Sequence, residues 1–163
     1  MQPGLDAIDM QILAQLQRDA SVPVAEIAEA VGLSQSPCWR RIQRLEEQGY
    51  IRARVALLDR RKLGFSVEAI VQLRVPRDAA TRAQFEQAVR ALPEVTECIM
   101  LMGEEDFLLR VVATDLETYE RFVRERLASV PGVSAVDARI AIAAVKSTHA
   151  LPLEVLRKPP STA

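Results

Sequence analysis

Residues 24–49 read VAEIAEAVGLSQSPCWRRIQRLEEQG, two short helical patterns divided by a single glycine. Val24, Ile27, Ala28 and Val31 recur at helical spacing and form one apolar stripe. Gly32 follows as the stop, because glycine takes the left-handed backbone of a helix end without a Cβ penalty. Leu33 plugs the turn into the core. Ser34 is placed to cap the second pattern. Pro37 falls in its first turn, where a missing N–H costs nothing. Cys38, Ile42 and Leu45 then face inward at i, i+4, i+7, leaving Ser36, Arg40, Gln43 and Arg44 on the opposite side. Trp39 and Arg41 sit on the flanks; Trp39 is expected to seal the core against the first helix, with stacking on sugar or phosphate as the alternative. Two amphipathic helices joined by so short a turn give the helix-turn-helix layout, whose second helix enters the DNA major groove.

Charge follows the same division. The formal net charge of −1 would not suggest nucleic acid. Residues 1–32, however, carry Asp6, Asp9, Asp19, Glu26 and Glu29 against Arg18 alone. Residues 33–62 carry Arg40, Arg41, Arg44, Arg52, Arg54, Arg60, Arg61 and Lys62 against Glu46, Glu47 and Asp59. A basic segment directly after the turn is the electrostatic footprint of a nucleic-acid binder. Arg40 and Arg44 lie one helical turn apart, and each can donate two hydrogen bonds to guanine O6 and N7. Ser34, Gln35, Ser36 and Gln43 are placed to read bases or phosphates, with Arg41 as a flanking basic group. Arg52 and Arg54 are either phosphate contacts or ordinary exposed strand residues. The competing explanation is a solvated face in which the helix arginines pair with Glu46 and Glu47; the glycine turn and serine cap favour DNA contact.

The flanking chain fits this core. Leu5, Ile8, Ile12, Leu13 and Leu16 predict a first helix, capped by Asp6 and broken by Ser21-Val22-Pro23. Residues 50–59 alternate partly and predict a strand, a wing or a link, with 60–65 as the boundary. The period then changes. Val67, Ala69, Val71, Leu73 and Val75 alternate as a strand. A helix is predicted over 81–92, a hairpin over 95–102 and 106–113, and a helix capped by Thr114 or Asp115 and running through 129. Leu116, Tyr119, Phe122, Val123, Arg126 and Leu127 lie on or beside its core stripe. Pro131-Gly132 ends it, and a last strand covers 133–145. The order β-α-β-β-α-β is the ferredoxin-like split βαβ, both helices on one face of an antiparallel sheet. The fold class is α+β, an N-terminal winged helix-turn-helix followed by this domain. Runs such as Ile99–Met102 and Phe107–Leu109 are apolar on both faces, so the open face is expected to pack on a second copy of the chain.

Several function classes drop out. Residues 1–23 lack the continuous apolar region of a signal peptide, and no stretch approaches the ~20 apolar residues of a membrane span, so a cytoplasmic protein is expected. Cys38, Cys98 and His149 do not make a zinc site of ordinary spacing, and Cys38 is read as a helix-packing residue. The six glycines are isolated, so no phosphate loop exists, and no Cys/His pair stands within plausible reach. An enzyme is not expected, nor a cofactor.

The chain resembles the Lrp/AsnC, or feast/famine, family of transcriptional regulators. The match rests on DAIDMQILAQL (6–16), VGLSQSPCWRRIQRLEEQGYI (31–51), and VTECIMLMGEEDFLL (95–109) with Val130-Pro131-Gly132-Val133. The resemblance implies a DNA-binding domain with linking strand over 1–60, a RAM-type ligand-sensing and oligomerisation domain over 61–152, and a tail over 153–163. It implies homodimers assembling into tetramers or octamers on pseudo-palindromic double-stranded DNA, and an amino acid or related effector at an interface between subunits. By position it assigns the effector to Gly103, Glu104, Glu105 and Asp106, and less directly to Thr148, His149 and Ala150. Asp106 has a structural alternative, tying down the turn. The family's usual Gly-Asp-aromatic-Asp is Gly103-Glu104-Glu105-Asp106 here, without the aromatic. The VALLD segment (55–59), Lys146-Ser147-Thr148 and Leu151-Pro152-Leu153 are most similar to a cysteine-responsive subgroup. Two other classes compete: a ligand-independent DNA-binding or architectural regulator, and a small-molecule-binding module without DNA activity.

Overall fold

The computed structural model describes residues 4–102 and 106–156. They divide into two units. One is built from the chain up to Ala56 together with the stretch from Lys146 onward; the other is Leu57–Val145. The expected division put residues 146–152 with the sheet domain, whereas here they stand with the helices.

The first unit holds α1 (Ala7–Leu16), α2 (Val24–Ala30) and α3 (Gln35–Glu47). Asp6 caps α1 reciprocally: its carboxylate accepts from the Asp9 N–H at 2.8 Å, and the Asp9 carboxylate accepts from the Asp6 N–H at 3.1 Å. Both orphan donors are thereby satisfied. Gly32 takes φ +70°, and the Leu33 N–H returns to the Ala28 carbonyl at 2.9 Å. Ser34 occupies the N-cap position of α3, but its hydroxyl makes no capping bond. Ile12, Ile27, Cys38, Ile42 and Leu45 form the buried core, so Cys38 packs as its spacing predicts. Burial pushes its thiol pKa up.

The predicted strand over 50–59 does not form; this stretch has no ladder partner, and Val55, Leu57 and Leu58 are exposed. Alternation describes the side chains, but a strand also needs a neighbour for its N–H and C=O groups. A wing is therefore absent among the described residues.

The second unit runs β1 (Val67–Arg74), α4 (Ala79–Arg90), β2 (Val95–Met100), β3 (Phe107–Ala113), α5 (Leu116–Phe122) and β4 (Ala135–Ile140). One π turn, Val123–Leu127, prolongs α5. All pairings are antiparallel, in the order β2-β3-β1-β4. This is the predicted β-α-β-β-α-β arrangement. The last strand ends at Ile140, short of the predicted 145; one further bond, from the Ala141 N–H to the Glu68 carbonyl, follows it.

One sheet face carries Ala69, Val71, Leu73, Phe107, Leu109 and Val111, all buried against Phe85, Val89, Tyr119, Phe122 and Leu127 of the helical layer. The rings of Phe85 and Phe107 lie 4.5 Å apart between centroids. Leu116, expected on or beside the core stripe, opens α5 and is exposed. The opposite face is less uniformly apolar than its runs suggest. Register puts Ile70, Ile99, Leu108 and Val112 there, but also Glu68, Glu97 and Arg110. Arg110 bonds Glu68 at 2.7 Å and Glu97 at 3.2 Å, and Arg60 bonds Glu68 at 2.8 Å. Arg110 first, then Arg60, holds the Glu68 carboxyl below the usual carboxylate range.

Candidate nucleic-acid interface

The orientation of α3 follows from what its two faces meet. Cys38, Ile42 and Leu45 are buried. Next to that seam, Arg41 and Arg44 turn toward α1 and meet Asp9, which is 1% exposed. Arg41 Nη1 donates to Asp9 Oδ1 at 2.8 Å and to Asp6 Oδ2 at 2.6 Å. Arg44 Nη2 donates to Asp9 Oδ2 at 2.5 Å. The Asp9 N–H and then the Arg41 guanidinium hold the Asp6 carboxyl below its ordinary range, while Asp6 and Asp9 raise the pKa of Arg41. One buried carboxylate thus holds two arginines of α3, and with them the rotation of the helix about its axis.

The exposed residues of α3 are then Gln35, Ser36, Trp39, Arg40, Gln43, Glu46 and Glu47. Gln35, Trp39 and Gln43 are spaced by four, and Ser36, Trp39 and Arg40 by three and one, so they share a face. Ser34 is exposed just before the helix. Among the described residues, Arg40 bonds to no protein group, which leaves its five donors open. Arg54 pairs with Glu46 at 2.7 Å, and Arg52 is exposed on the link.

The structure therefore assembles Ser34, Gln35, Ser36, Arg40 and Gln43 on one surface. It also engages Arg41 and Arg44 with Asp9, while both side chains stay partly exposed. Spacing alone gives Asp9 no role and makes Trp39 a seal. Asp9 stands among the apolar positions of the first helix, and that interruption was the available signal. Trp39 is not the expected seal; it is 49% exposed and lines a shallow cleft of about 420 Å³ with Val24, Gln35 and Ser36. Cys38, one residue earlier, already fills the inward position, and a step of about 100° carries Trp39 off the seam.

Of the residues assigned to an effector, Gly103, Glu104 and Glu105 lie outside the described residues. Asp106 is buried, and both its oxygens are in use. Oδ2 accepts from the Val75 N–H at 3.1 Å and Oδ1 from Arg82 Nη2 at 3.1 Å, with Arg77 at 3.6 Å. Its own N–H reaches the Leu73 carbonyl at 3.0 Å. This carboxylate ties the hairpin end to β1 and α4 rather than standing open to a ligand. Thr148, His149 and Ala150 belong to the helical unit, and the Thr148 hydroxyl accepts from the Ala150 N–H at 3.1 Å. His149 joins Leu151, Leu153 and Leu156 in lining a largely apolar groove of about 1100 Å³ along α1 and residues 50–54. Gln17 fastens that stretch: its amide donates to the Leu151 carbonyl at 3.1 Å and accepts from the Leu151 N–H at 2.9 Å. Among the described residues no cluster of three or more His, Cys, Asp or Glu side chains is placed to hold a metal, and no helix is long and apolar enough to cross a membrane.

Residues 5–46 match the AsnC-type helix-turn-helix domain, and residues 68–151 match the Lrp/AsnC ligand binding domain. The chain is 38% identical over 151 residues to the DNA-binding transcriptional activator DecR of Escherichia coli K12, covering 92% of this chain and 99% of that one. It is 42% identical over 144 residues to the leucine-responsive regulatory protein of Rhizobium meliloti, covering 87% and 92%. Among solved structures, a transcriptional regulator of Neisseria meningitidis in complex with L-Met superposes with a TM-score of 0.89 at 35% identity, covering 93% of this chain and 99% of that one.

Proposed function

This chain belongs to the Lrp/AsnC family of transcriptional regulators, and from that membership we propose that it binds duplex DNA through the exposed face of α3 under the control of an amino acid. Members of the family are regulators, not enzymes. The observation that carries the DNA reading is the division of labour on α3: Asp9 holds Arg41 and Arg44, and Arg40 is left open beside Gln35, Ser36 and Gln43. Arg40 suits a guanine edge, Gln43 and Gln35 suit adenine or a phosphate, Ser34 and Arg52 supply backbone contacts, and the partly exposed Arg44 and Arg54 add to them from their ion pairs with Asp9 and Glu46.

A pair of such helices in a homodimer meets two half-sites, so the operator is pseudo-palindromic. Tetramers or octamers add avidity by engaging several sites. The apolar residues on the open sheet face, Ile70, Ile99, Leu108 and Val112, support packing on a second copy, with the Glu68–Arg110–Glu97 ladder setting register. A regulator of this kind works in the cytoplasm, where the DNA is. The effector is an amino acid: the matched domain is a ligand binding domain, and the Neisseria relative holds L-Met. The subgroup resemblance puts L-cysteine beside L-methionine as the first to test. The residues around 103–105 remain the proposed contact region, with Asp106 as its anchor.

The test is fluorescence anisotropy with duplexes selected from a random pool by the full chain. Arg40→Ala with Gln43→Ala is expected to lower affinity at least tenfold, with addition of the amino acid shifting the parent's curve. Unchanged binding by the double variant removes the assignment of this face.

A further inference from the structure

Trp39 is the only tryptophan in the chain. Half of it is exposed, at the centre of the face that remains once Asp9 has claimed Arg41 and Arg44. Its neighbours at i−4, i−3, i+1 and i+4 are Gln35, Ser36, Arg40 and Gln43. With Val24 at the start of α2 it walls the shallow cleft of about 420 Å³. Among the described residues its indole N–H has no acceptor. A large apolar ring on a helix that otherwise presents arginine, serine and glutamine costs solubility and stands outside the buried core cluster.

Major-groove edges carry one apolar group, the C5-methyl of thymine, and apolar side chains read it by contact. Polar and basic neighbours bring the helix into the groove; the ring and the Val24 side chain then offer the apolar part of the shallow cleft they share with Gln35 and Ser36. We propose that Trp39, with Val24, is a specificity-determining residue that packs on a thymine methyl and makes each half-site favour thymine at one position. This rests on the DNA-binding reading above and adds to it the base that is read.

The experiment uses the full chain and duplexes that it selects from a random-sequence pool. Each thymine of the selected half-site is replaced in turn by deoxyuridine, which deletes only the methyl group. At one position the parent is expected to lose about three- to fourfold in affinity, the worth of one buried methyl group. Trp39→Ala is expected to bind the thymine duplex roughly tenfold more weakly and to bind thymine and uracil duplexes alike. Tryptophan emission of the parent is expected to change on titration with the duplex. Thermal denaturation of Trp39→Ala should match the parent, since the ring lies outside the core. Loss of affinity spread evenly over all sequences, with no response to uracil, would mean that Trp39 touches sugar or phosphate, and it overturns the proposal. Equal binding by parent and variant also overturns it while leaving DNA binding intact. If the parent selects no duplex at all, the DNA reading itself falls.

Discussion

Arg41 and Asp9 meet at 2.8 Å across two helices, and Asp9 is nearly sealed from water while Arg41 is not. A buried carboxylate is costly unless its lone pairs are filled, and here two guanidinium groups and a backbone N–H fill them. The arrangement turns an electrostatic debt into a mechanical constraint, because α3 cannot rotate without exposing Asp9 unpaired.

Asp9→Asn is accordingly expected to destabilise the helical unit by about 2 kcal/mol, less than a fully buried pair would cost because both arginines reach solvent. Urea denaturation measures it. DNA affinity should fall with it, since α3 loses its rotational stop. An unchanged midpoint would show that the pair is ornamental.

Glu68 provides a pH signature. Its carboxyl is held below the usual range by Arg110 and Arg60. A group depressed in the folded state stabilises above its unfolded pKa, about 4.3 for glutamate, and that contribution is lost as pH falls through the folded value. Stability should therefore decline on the acid side below about pH 4.3, more steeply in the parent than in Glu68→Gln. Melting temperatures of both proteins across the acid range check this; parallel curves refute it.

Gly132 separates two costs that usually come together. It has φ +82°, and a Cβ there would stand 2.4 Å from Thr81 Cγ2 and 3.1 Å from Val75 Cγ1. Gly64 has φ +92° with nothing within 4 Å. Both alanine variants pay the backbone penalty of about 1 kcal/mol, but Gly132→Ala should cost about 1–3 kcal/mol more through overpacking. Equal losses in chemical denaturation would mean that α4 gives way freely.

Ligand linkage is the fourth expectation. A bound amino acid should raise the melting temperature, since a ligand at a hundred times its Kd stabilises by about 2.7 kcal/mol. A thermal-shift series of the twenty amino acids, begun with L-cysteine and L-methionine, checks it. No shift with any of them supports a ligand-independent regulator instead.

Side-chain period made much of this molecule legible. Val67 to Val75 and Phe85 to Leu92 change period where the structure changes element, and Asp6 announces the first helix. What stayed hidden needed information from elsewhere in the chain. Residues 50–59 alternate like a strand, but only a partner makes one. Arg40 and Arg44 read alike in sequence, with Arg41 on the flank; a carboxylate delivered by α1 decides that Arg40 stays unpaired. Trp39 is hydrophobic yet half exposed, because Cys38 already fills the inward slot. Asp106 reads as an acid in a turn, and only the Val75 N–H and Arg82 reveal it as an internal tie.

The Gln17–Leu151 pair has a consequence for how the protein comes into being. A ribosome delivers Gln17 early and Leu151 only after the whole β-α-β-β-α-β segment has emerged. During synthesis the groove along α1 is thus open and apolar, with Leu13 and Leu16 unprotected by the later residues. The groove along α1 is covered only once the last residues have been made, although the buried core of the three helices is built from early residues alone.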